Sequence, residues 1–294
     1  MADQEWLADR FEEHRAHLRA VAYRMLGSLT EADDAVQDAW LRLSRTGPSE
    51  VENLQAWLTT VVARVCLNTL RSRNVRREES LPVHVPDPVI ASPEEQALLA
   101  DSVGLALLVV LDTLAPAERL AFVLHDMFQL PFEQIAPMVG RTPVAARQLA
   151  SRARRRIKGA EVPTPDADLA RQHEVVDAFF QAARAGDFDA LVALLDPAVV
   201  LRLDAGAAPS AASMVRNGAA VVARQALRGL RSGLPGAEVL PALVNGAAGV
   251  IVTVDGRPLT VMGFTVSDGR IVEIDAIADP ERVARIAANL LPTE

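Results

Sequence analysis

Residues Thr142 to Lys158 read TPVAARQLASRARRRIK, with five arginines, one lysine and no acid. Thr142 offers an N-cap, Pro143 fits the first helical position, and Gly159 can end the helix. At 3.6 residues per turn, Ala146, Leu149, Ala150, Ala153 and Ile157 gather on one side. Val144, Gln148, Ser151, Arg152 and Arg155 point the other way, flanked by Arg147, Arg154 and Lys158. A small-residue inner face under a polar, basic outer face suits a helix laid into the DNA major groove. A merely solvated basic helix would show the same pattern, so the neighbouring residues decide.

Just upstream, Pro131 to Val139 predicts a short helix, and Gly140-Arg141 a turn. Short helix, glycine-bearing turn and basic second helix together make a helix-turn-helix. Pro137 falls inside the first helix, where a regular interior would lose about 3 kcal/mol. The preceding helix is expected from Pro116, carrying Leu120, Val123, Leu124 and Met127. Another is expected to start at Ser92-Pro93-Glu94-Glu95 and to run on through Val103 to Leu114.

Three longer helices are predicted before these. Trp6 to Leu26 repeats Phe11, Leu18, Val21, Ala22, Met25 and Leu26 at helical spacing, and Gly27-Ser28 breaks it. Thr30 to Leu43 has acids behind its cap and an apolar stripe of Ala35, Val36, Ala39, Trp40 and Leu43. Asp34, Gln37, Asp38 and Arg42 stay outside that stripe, as a solvated face or a docking surface for a partner protein. In Asn53 to Arg73, Leu54, Leu58, Val61, Val62 and Val65 supply the core face. Trp57, Arg64, Asn68 and Arg71 form a line beside it. The tryptophan reads as core, and Arg64, Asn68 and Arg71 as contacts to phosphate or base.

Residues 78 to 95 hold Pro82, Pro86, Pro88 and Pro93 without helical period, which predicts a linker. Glu161-Val-Pro-Thr-Pro165 predicts a second. Beyond it the pattern changes. Leu169 to Ala185 is expected to be a helix, and Phe188 to Leu195 a shorter one closed by Asp196-Pro197. Strand-like runs follow at Val199 to Leu203, Val239 to Val244, Gly249 to Val254, Leu259 to Val266 and Ile271 to Ile277, with a helix near Gly218 to Leu227. Asp255-Gly256 and Asp268-Gly269 are tight-hairpin signals. The order predicts an α+β cone, a curved sheet around helices with a pocket inside.

Composition bounds the partners. The 294 residues allow two or three domains, and no apolar run is long enough to span a bilayer. The N-terminus is polar and acidic without a signal-peptide pattern. The single cysteine, Cys66, excludes an internal disulfide and a multi-cysteine zinc site, so a cytoplasmic setting without metal or cofactor is expected. Net charge is −8, yet Arg64 to Arg77 contains five arginines and no acid, and Arg141 to Lys158 seven basic residues and no acid. From Glu161 onward there are 11 basic and 17 acidic residues. Basic stripes in an acidic chain mark local phosphate contact.

With these pieces assembled, residues 1–159 resemble an extracytoplasmic-function sigma factor of bacterial RNA polymerase. The resemblance rests on DAVQDAWLRL (Asp34 to Leu43), AWLTTVVARVCLNTLRSR (Ala56 to Arg73), LDTLAPAERLAFVLHD (Leu111 to Asp126) and PFEQIAPMVGRTPVAARQLASRARRRI (Pro131 to Ile157). The rest resembles the SnoaL-like cone domain carried by one group of such factors, the SigJ-like ones. That part rests on HEVVDAFFQAARAGDFDALVALLDP (His173 to Pro197) and the terminal meander.

The resemblance implies a multi-domain chain, two all-α sigma domains followed by an α+β SnoaL-like domain. Region 2 would occupy residues 1–78, a linker 79–95, region 4 residues 96–159, a second linker 160–170, and the SnoaL-like regulatory domain 171–294. By position, Asp34, Gln37, Asp38 and Trp40 would bind core RNA polymerase. Arg45 to Asn53 would form the loop that captures an unstacked base of the −10 element, with Asn53, Arg64, Asn68 and Arg71 along the strand. Gln148, Ser151 and Arg152 would read the −35 element of promoter DNA, with Arg147 and Arg155 on phosphates.

The resemblance also implies an intramolecular contact between the C-terminal domain and the sigma core. Three segments usual in this group are altered. Val162-Pro-Thr-Pro165 stands for Trp-Leu-Pro-Glu-Pro, Asp204-Ala-Gly-Ala-Ala for Asp-Gly-Gly-Gly-Lys, and Asp279-Pro-Glu-Arg-Val283 for Asn-Pro-Asp-Lys-Leu.

Two other functions compete with a self-modulated sigma factor: a helix-turn-helix regulator acting without polymerase, and a DNA-binding module fused to a ligand-binding or catalytic cone. The motif at Asp34 to Leu43 disfavours the first. Against catalysis, residues 160–294 contain no Tyr, Trp, Cys or Lys and only His173, while Asp255 and Asp268 serve turns. Phe179, Phe180, Phe188 and Phe264 read as core. A small-molecule ligand in the C-terminal pocket remains compatible with the pattern.

Overall fold

The computed structural model describes residues 2–46, 53–77, 83–91, 104–206, 213–231 and 236–288. Packing divides the chain into two compact units. One combines Met1–Ser80 with Val110–Glu161, and the other Leu81–Val109 with Val162–Glu294.

In the first unit, α1 (Ala2–Leu26), α2 (Leu29–Thr46) and α3 (Leu54–Arg77) pack pairwise. Their core is Leu18, Val21, Met25, Val36, Leu43, Leu58, Val62 and Leu67, all essentially without solvent contact. Gly27, in the left-handed conformation, closes α1 by donating to the Tyr23 carbonyl at 2.7 Å. Arg73 then ties the three helices together. It donates to the Leu26 carbonyl at 2.8 Å and pairs with Glu31 at the start of α2.

Downstream come α4 (Leu105–Asp112), α5 (Pro116–Phe122), a π-helical turn (Val123–Met127), α6 (Phe132–Val139) and α7 (Pro143–Gly159). Arg119 on α5 is 1% exposed, donating to Asp112 at 3.0 Å and to the Arg24 carbonyl of α1 at 3.3 Å. It therefore serves packing within this unit. Pro137 lies on the exposed side of α6, two residues before the helix ends. The carbonyl it deprives of a partner, that of Glu133 four residues earlier, belongs to an exposed residue that water can reach. Gly140, left-handed at φ 66°, then turns the chain into α7.

The second unit is a seven-stranded sheet of order β1-β4-β5-β6-β7-β2-β3. The strands are β1 (Ile90–Ala91), β2 (Leu195–Asp204), β3 (Met214–Asn217), β4 (Ala237–Val244), β5 (Ala247–Val254), β6 (Arg257–Ser267) and β7 (Arg270–Ile277). Among the described strands only β2 and β7 pair in parallel. Asp255-Gly256 and Asp268-Gly269 form the expected tight turns with positive φ at both residues, and so does Asn245-Gly246 between β4 and β5. α8 (Leu169–Ala185), α9 (Phe188–Leu194) and α10 (Ala219–Arg231) join one face of the sheet in a common core. Phe179, Phe180 and Phe264 meet edge-on at its centre, with centroids 5.5 to 5.9 Å apart. This is the α+β architecture expected of a SnoaL-like domain. α11 (Pro280–Ala287) packs against β6.

Two expectations are corrected. Asp196-Pro197 does not close α9. Leu195 to Asp204 is one strand, and its register against β7 shifts between Leu195 and Val200, so the pair occupies an irregularity. Neither proline-rich stretch is a bare spacer over its described residues. Val83, Val85, Pro86, Asp87 and Pro88 are buried, and Ile90-Ala91 adds an edge strand to β4. Prolines at a sheet edge lose no ladder bond they need, so a composition that breaks helices can still pack. In the second stretch Asp166 donates to the Val266 carbonyl at 2.8 Å, and its carboxylate accepts from the turn amides of Asp268 and Gly269 at 2.9 and 3.0 Å. Packing therefore divides the chain near residues 80, 109 and 161, rather than at spacers over 79–95 and 160–170.

Candidate nucleic-acid interface

α7 is built to present one face. Thr142 caps it, its hydroxyl accepting from the Ala145 amide at 3.3 Å, and Ala146, Ala150 and Ala153 are fully buried. Three alanines on the buried side let α5 and α6 come close, which fixes the helix rigidly with little side-chain entropy lost. Arg147, Gln148, Ser151, Arg152 and Arg155 are all exposed. Arg147 lies over the Phe132 ring at 5.4 Å, a cation–π contact that steadies it at the helix start.

The arginines divide by task. Arg154 donates to Asp126 at 2.6 Å and Arg156 to Glu118 at 3.3 Å, so both have partners inside the unit. Arg152 reaches Glu118 only at 3.9 Å. Arg155 makes no ion pair among the described residues. The helical wheel separated the faces correctly, but charge counting could not show that Arg154 and Arg156 hold α7 down.

A second line runs along α3, where Arg64, Asn68 and Arg71 are exposed and Trp57 is half-buried. Asn53 is exposed at the helix start, and its side-chain oxygen accepts from the Ala56 amide at 3.0 Å. Its amide oxygen is thus engaged as an N-cap, which leaves its amino group to face outward. Residues 47–52 of the expected base-capturing loop lie outside the described residues. On α2, Asp34, Gln37 and Asp38 are exposed, Asp38 standing 3.9 Å from Arg42. Trp40 instead turns toward α1 and meets Phe11, ring centroids 5.2 Å apart. It anchors the helix that carries the acids.

The charged residues of the second unit behave otherwise. Arg282 on α11 donates to Asp87 and to Asp204, both at 2.7 Å, and to the Val85 carbonyl. Asp204 also accepts from the Val85 amide at 3.0 Å, and His84 stands 3.4 Å away. Burial alone would raise the Asp204 carboxyl, but His84, the Val85 amide and Arg282 outweigh it and hold it well below the usual range. Arg202 forms a second cluster, donating to Asp275 and Glu273 at 3.0 Å each. Burial pushes Asp275 up to about 6 despite that arginine. The altered segments at Asp204 and Asp279–Val283 thus converge on the proline-rich stretch 84–89. Sequence reading missed this clamp, whose members Asp87, Asp204 and Arg282 lie far apart in the chain.

An apolar cavity of about 450 Å³ opens on the other side of the sheet, among Phe179, Phe180, Leu201, Met214, Val239 and Ile274. No carboxylate or histidine is among its described lining residues. Among the described residues no cluster of three or more His, Cys, Asp or Glu could hold a metal ion, and no helix is long and apolar enough to cross a membrane. Cys66 is buried, and burial pushes its thiol up to about 12.

Comparison with known proteins bears on the same elements. Residues 10–76 match the model of Sigma-70 region 2, and residues 104–157 that of Sigma-70 region 4. The chain is 40% identical to the ECF RNA polymerase sigma factor SigJ of Mycobacterium tuberculosis over 92% of its own length and 91% of that protein's. It is 34% identical to the probable ECF RNA polymerase sigma factor SigI of the same species over 99% of each chain. Its fold superposes on the crystal structure of the M. tuberculosis SigJ sigma factor with a TM-score of 0.73, covering 94% of this chain and 97% of the other at 35% identity.

Proposed function

The chain belongs to the extracytoplasmic-function sigma factors of RNA polymerase, which direct initiation at specific promoters, and from that premise we propose how its residues divide the work. Gln148, Ser151 and Arg152 read base edges of the −35 element in the major groove, while Arg147 and Arg155 hold phosphates. Arg64, Asn68 and Arg71, with Asn53, track the −10 strand. Asp34, Gln37 and Asp38 meet core polymerase, with Trp40 positioning their helix. The observation that carries this reading is the exposed Gln148–Ser151–Arg152 face on a capped helix whose opposite side is three buried alanines.

The functional domains on this reading are 1–78 for region 2, 96–159 for region 4 and 171–294 for regulation. The C-terminal domain acts on the DNA-binding parts through the chain itself. Both segments that connect region 4 to the rest, 83–91 and 162–166, are hydrogen-bonded into its sheet and clamp. Holding them limits how far region 4 can travel from region 2, which modulates initiation without touching base recognition. The domain is not an enzyme on this reading, because Asp204 and Asp275 are held by arginines and the described lining of the cavity offers no acid or base. The protein works in the cytoplasm, beside the polymerase.

Run-off transcription with core polymerase tests the assignment, comparing full length with a chain lacking residues 171–294. Promoter-specific transcripts from both, at different yields, are expected. No promoter-specific transcript from full length on any genomic fragment would sink the promoter reading. Equal yields would sink the regulatory one.

A further inference from the structure

The cavity of the C-terminal unit is large for a domain otherwise packed to a dense core, since such interiors leave few voids bigger than a water molecule. Its walls are aromatic and aliphatic, and three polar side chains interrupt them: Arg184, Gln225 and Thr260. Gln225 accepts from Arg228 at 3.2 Å, so its oxygen is engaged. Arg184, near the end of α8, is exposed and makes no ion pair among the described residues. The result is an apolar chamber edged by one positive charge, with no acid among its described lining residues. Few convergent polar groups in an apolar concavity of several hundred Å³ describe a small-molecule site.

We propose that this cavity binds an amphiphile with an apolar body and a single anionic head, the body against Phe179, Phe180 and Ile274 and the head at Arg184. This goes beyond promoter recognition and does not depend on it. The site binds and does not transform: the described lining holds no histidine, carboxylate, thiol or lysine that could move a proton or attack. The single charge sets the sign of the ligand, and the apolar wall supplies most of its affinity.

The test uses the full-length chain with decanoate, below its micelle concentration, and with the neutral decanol. Calorimetry or equilibrium dialysis gives both affinities. Gly229 lines the cavity on α10 and a Cβ there would meet nothing within 4 Å, so Gly229→Phe places its Cβ without a clash, sets an aromatic ring at the cavity wall and favours the helix. That variant should keep its circular dichroism spectrum and melting temperature and lose decanoate binding by about tenfold or more. Arg184→Gln should weaken decanoate by about fivefold and leave decanol unchanged, as expected of one largely exposed charge. Absence of decanoate binding, or undiminished binding by folded Gly229→Phe, overturns the site. Equal affinity for decanol and decanoate, unaffected by Arg184→Gln, overturns the anionic class.

Discussion

Arginines on the outer face of α7 and arginines in the C-terminal unit do opposite things. On α7, Arg152 and Arg155 stand in solvent, the first 54% exposed and 3.9 Å from its nearest acid. In the C-terminal unit, Arg282 and Arg202 are largely buried, each between two carboxylates at 2.7 to 3.0 Å. An exposed charge costs little to keep and is available to a phosphate or a guanine edge. A buried charge is tolerable only with partners in place, and losing one strands the others. Burial between two carboxylates therefore marks arginines that hold this molecule, whereas among the exposed arginines of α7 a close acid separates Arg154 and Arg156, which hold the helix, from Arg152 and Arg155.

The largest expected effect comes from breaking the buried set. Arg282→Ala removes the guanidinium that bridges buried Asp87 and Asp204, and should destabilise the C-terminal unit by about 3–5 kcal/mol in urea unfolding. It should also free residues 84–89 to proteolysis. A loss under about 1 kcal/mol would mean that the clamp holds nothing, and the contrast between the two arginine classes would fail.

Titration probes the same contrast with a sign attached. Asp275 has its carboxyl raised to about 6 by burial, above its unfolded value of about 3.9. Between those values the folded chain carries more protons than the unfolded one, so this group adds stability as pH falls from 6 toward 4. Its share of the slope is at most about 1.4 kcal/mol per pH unit. Asp204, held low, acts the other way: its contribution is present above the unfolded value and is lost as pH falls below it. Asp275→Asn should remove the slope between pH 6 and 4 and leave the acid limb intact. An unchanged profile in chemical denaturation from pH 7 to 4 would show that Asp275 titrates normally.

How much of this was legible in the chain follows from the same physics. α7 could be read almost whole, because cap, first-turn proline and buried alanines are local signals that tertiary context did not override. The Asp-Gly hairpins were equally local. Asn245-Gly246 is the same signal one turn earlier, and Asp279-Pro280, a cap followed by a first-turn proline, announces α11 in the same terms. Both could have been found. The clamp could not: Asp87, Asp204 and Arg282 are separated by more than a hundred and by nearly eighty residues, and nothing in any one stretch names its partners. Stretch 83–91 misled because proline content reports what a segment cannot be, a helix, and not whether it is free. The two-residue β1 and four-residue β3 are too short for a periodic signal.

On the exposed side, Arg152→Ala should weaken binding to the cognate −35 sequence by about 1–3 kcal/mol, and relax discrimination at the contacted position. Stability should barely change, because the side chain is mostly in solvent. The comparison is holoenzyme competition between wild-type and singly mutated −35 elements. If the unsubstituted protein binds both equally, Arg152 reads no base.

The smallest effect sharpens the division within α7 itself. Arg155 lies on the same exposed face as Arg152, three residues on, without an ion pair among the described residues. As a phosphate contact it should contribute about 1 kcal/mol or less, equally for every sequence, and carry about one unit of the slope of log affinity against log salt. Arg155→Ala should therefore flatten the salt dependence by about one while leaving the ratio between cognate and mutated −35 elements untouched. Arg152→Ala should reduce that ratio. A change in sequence preference on replacing Arg155, with the salt slope unaltered, would show that the reading face extends one turn further along the helix than Gln148, Ser151 and Arg152.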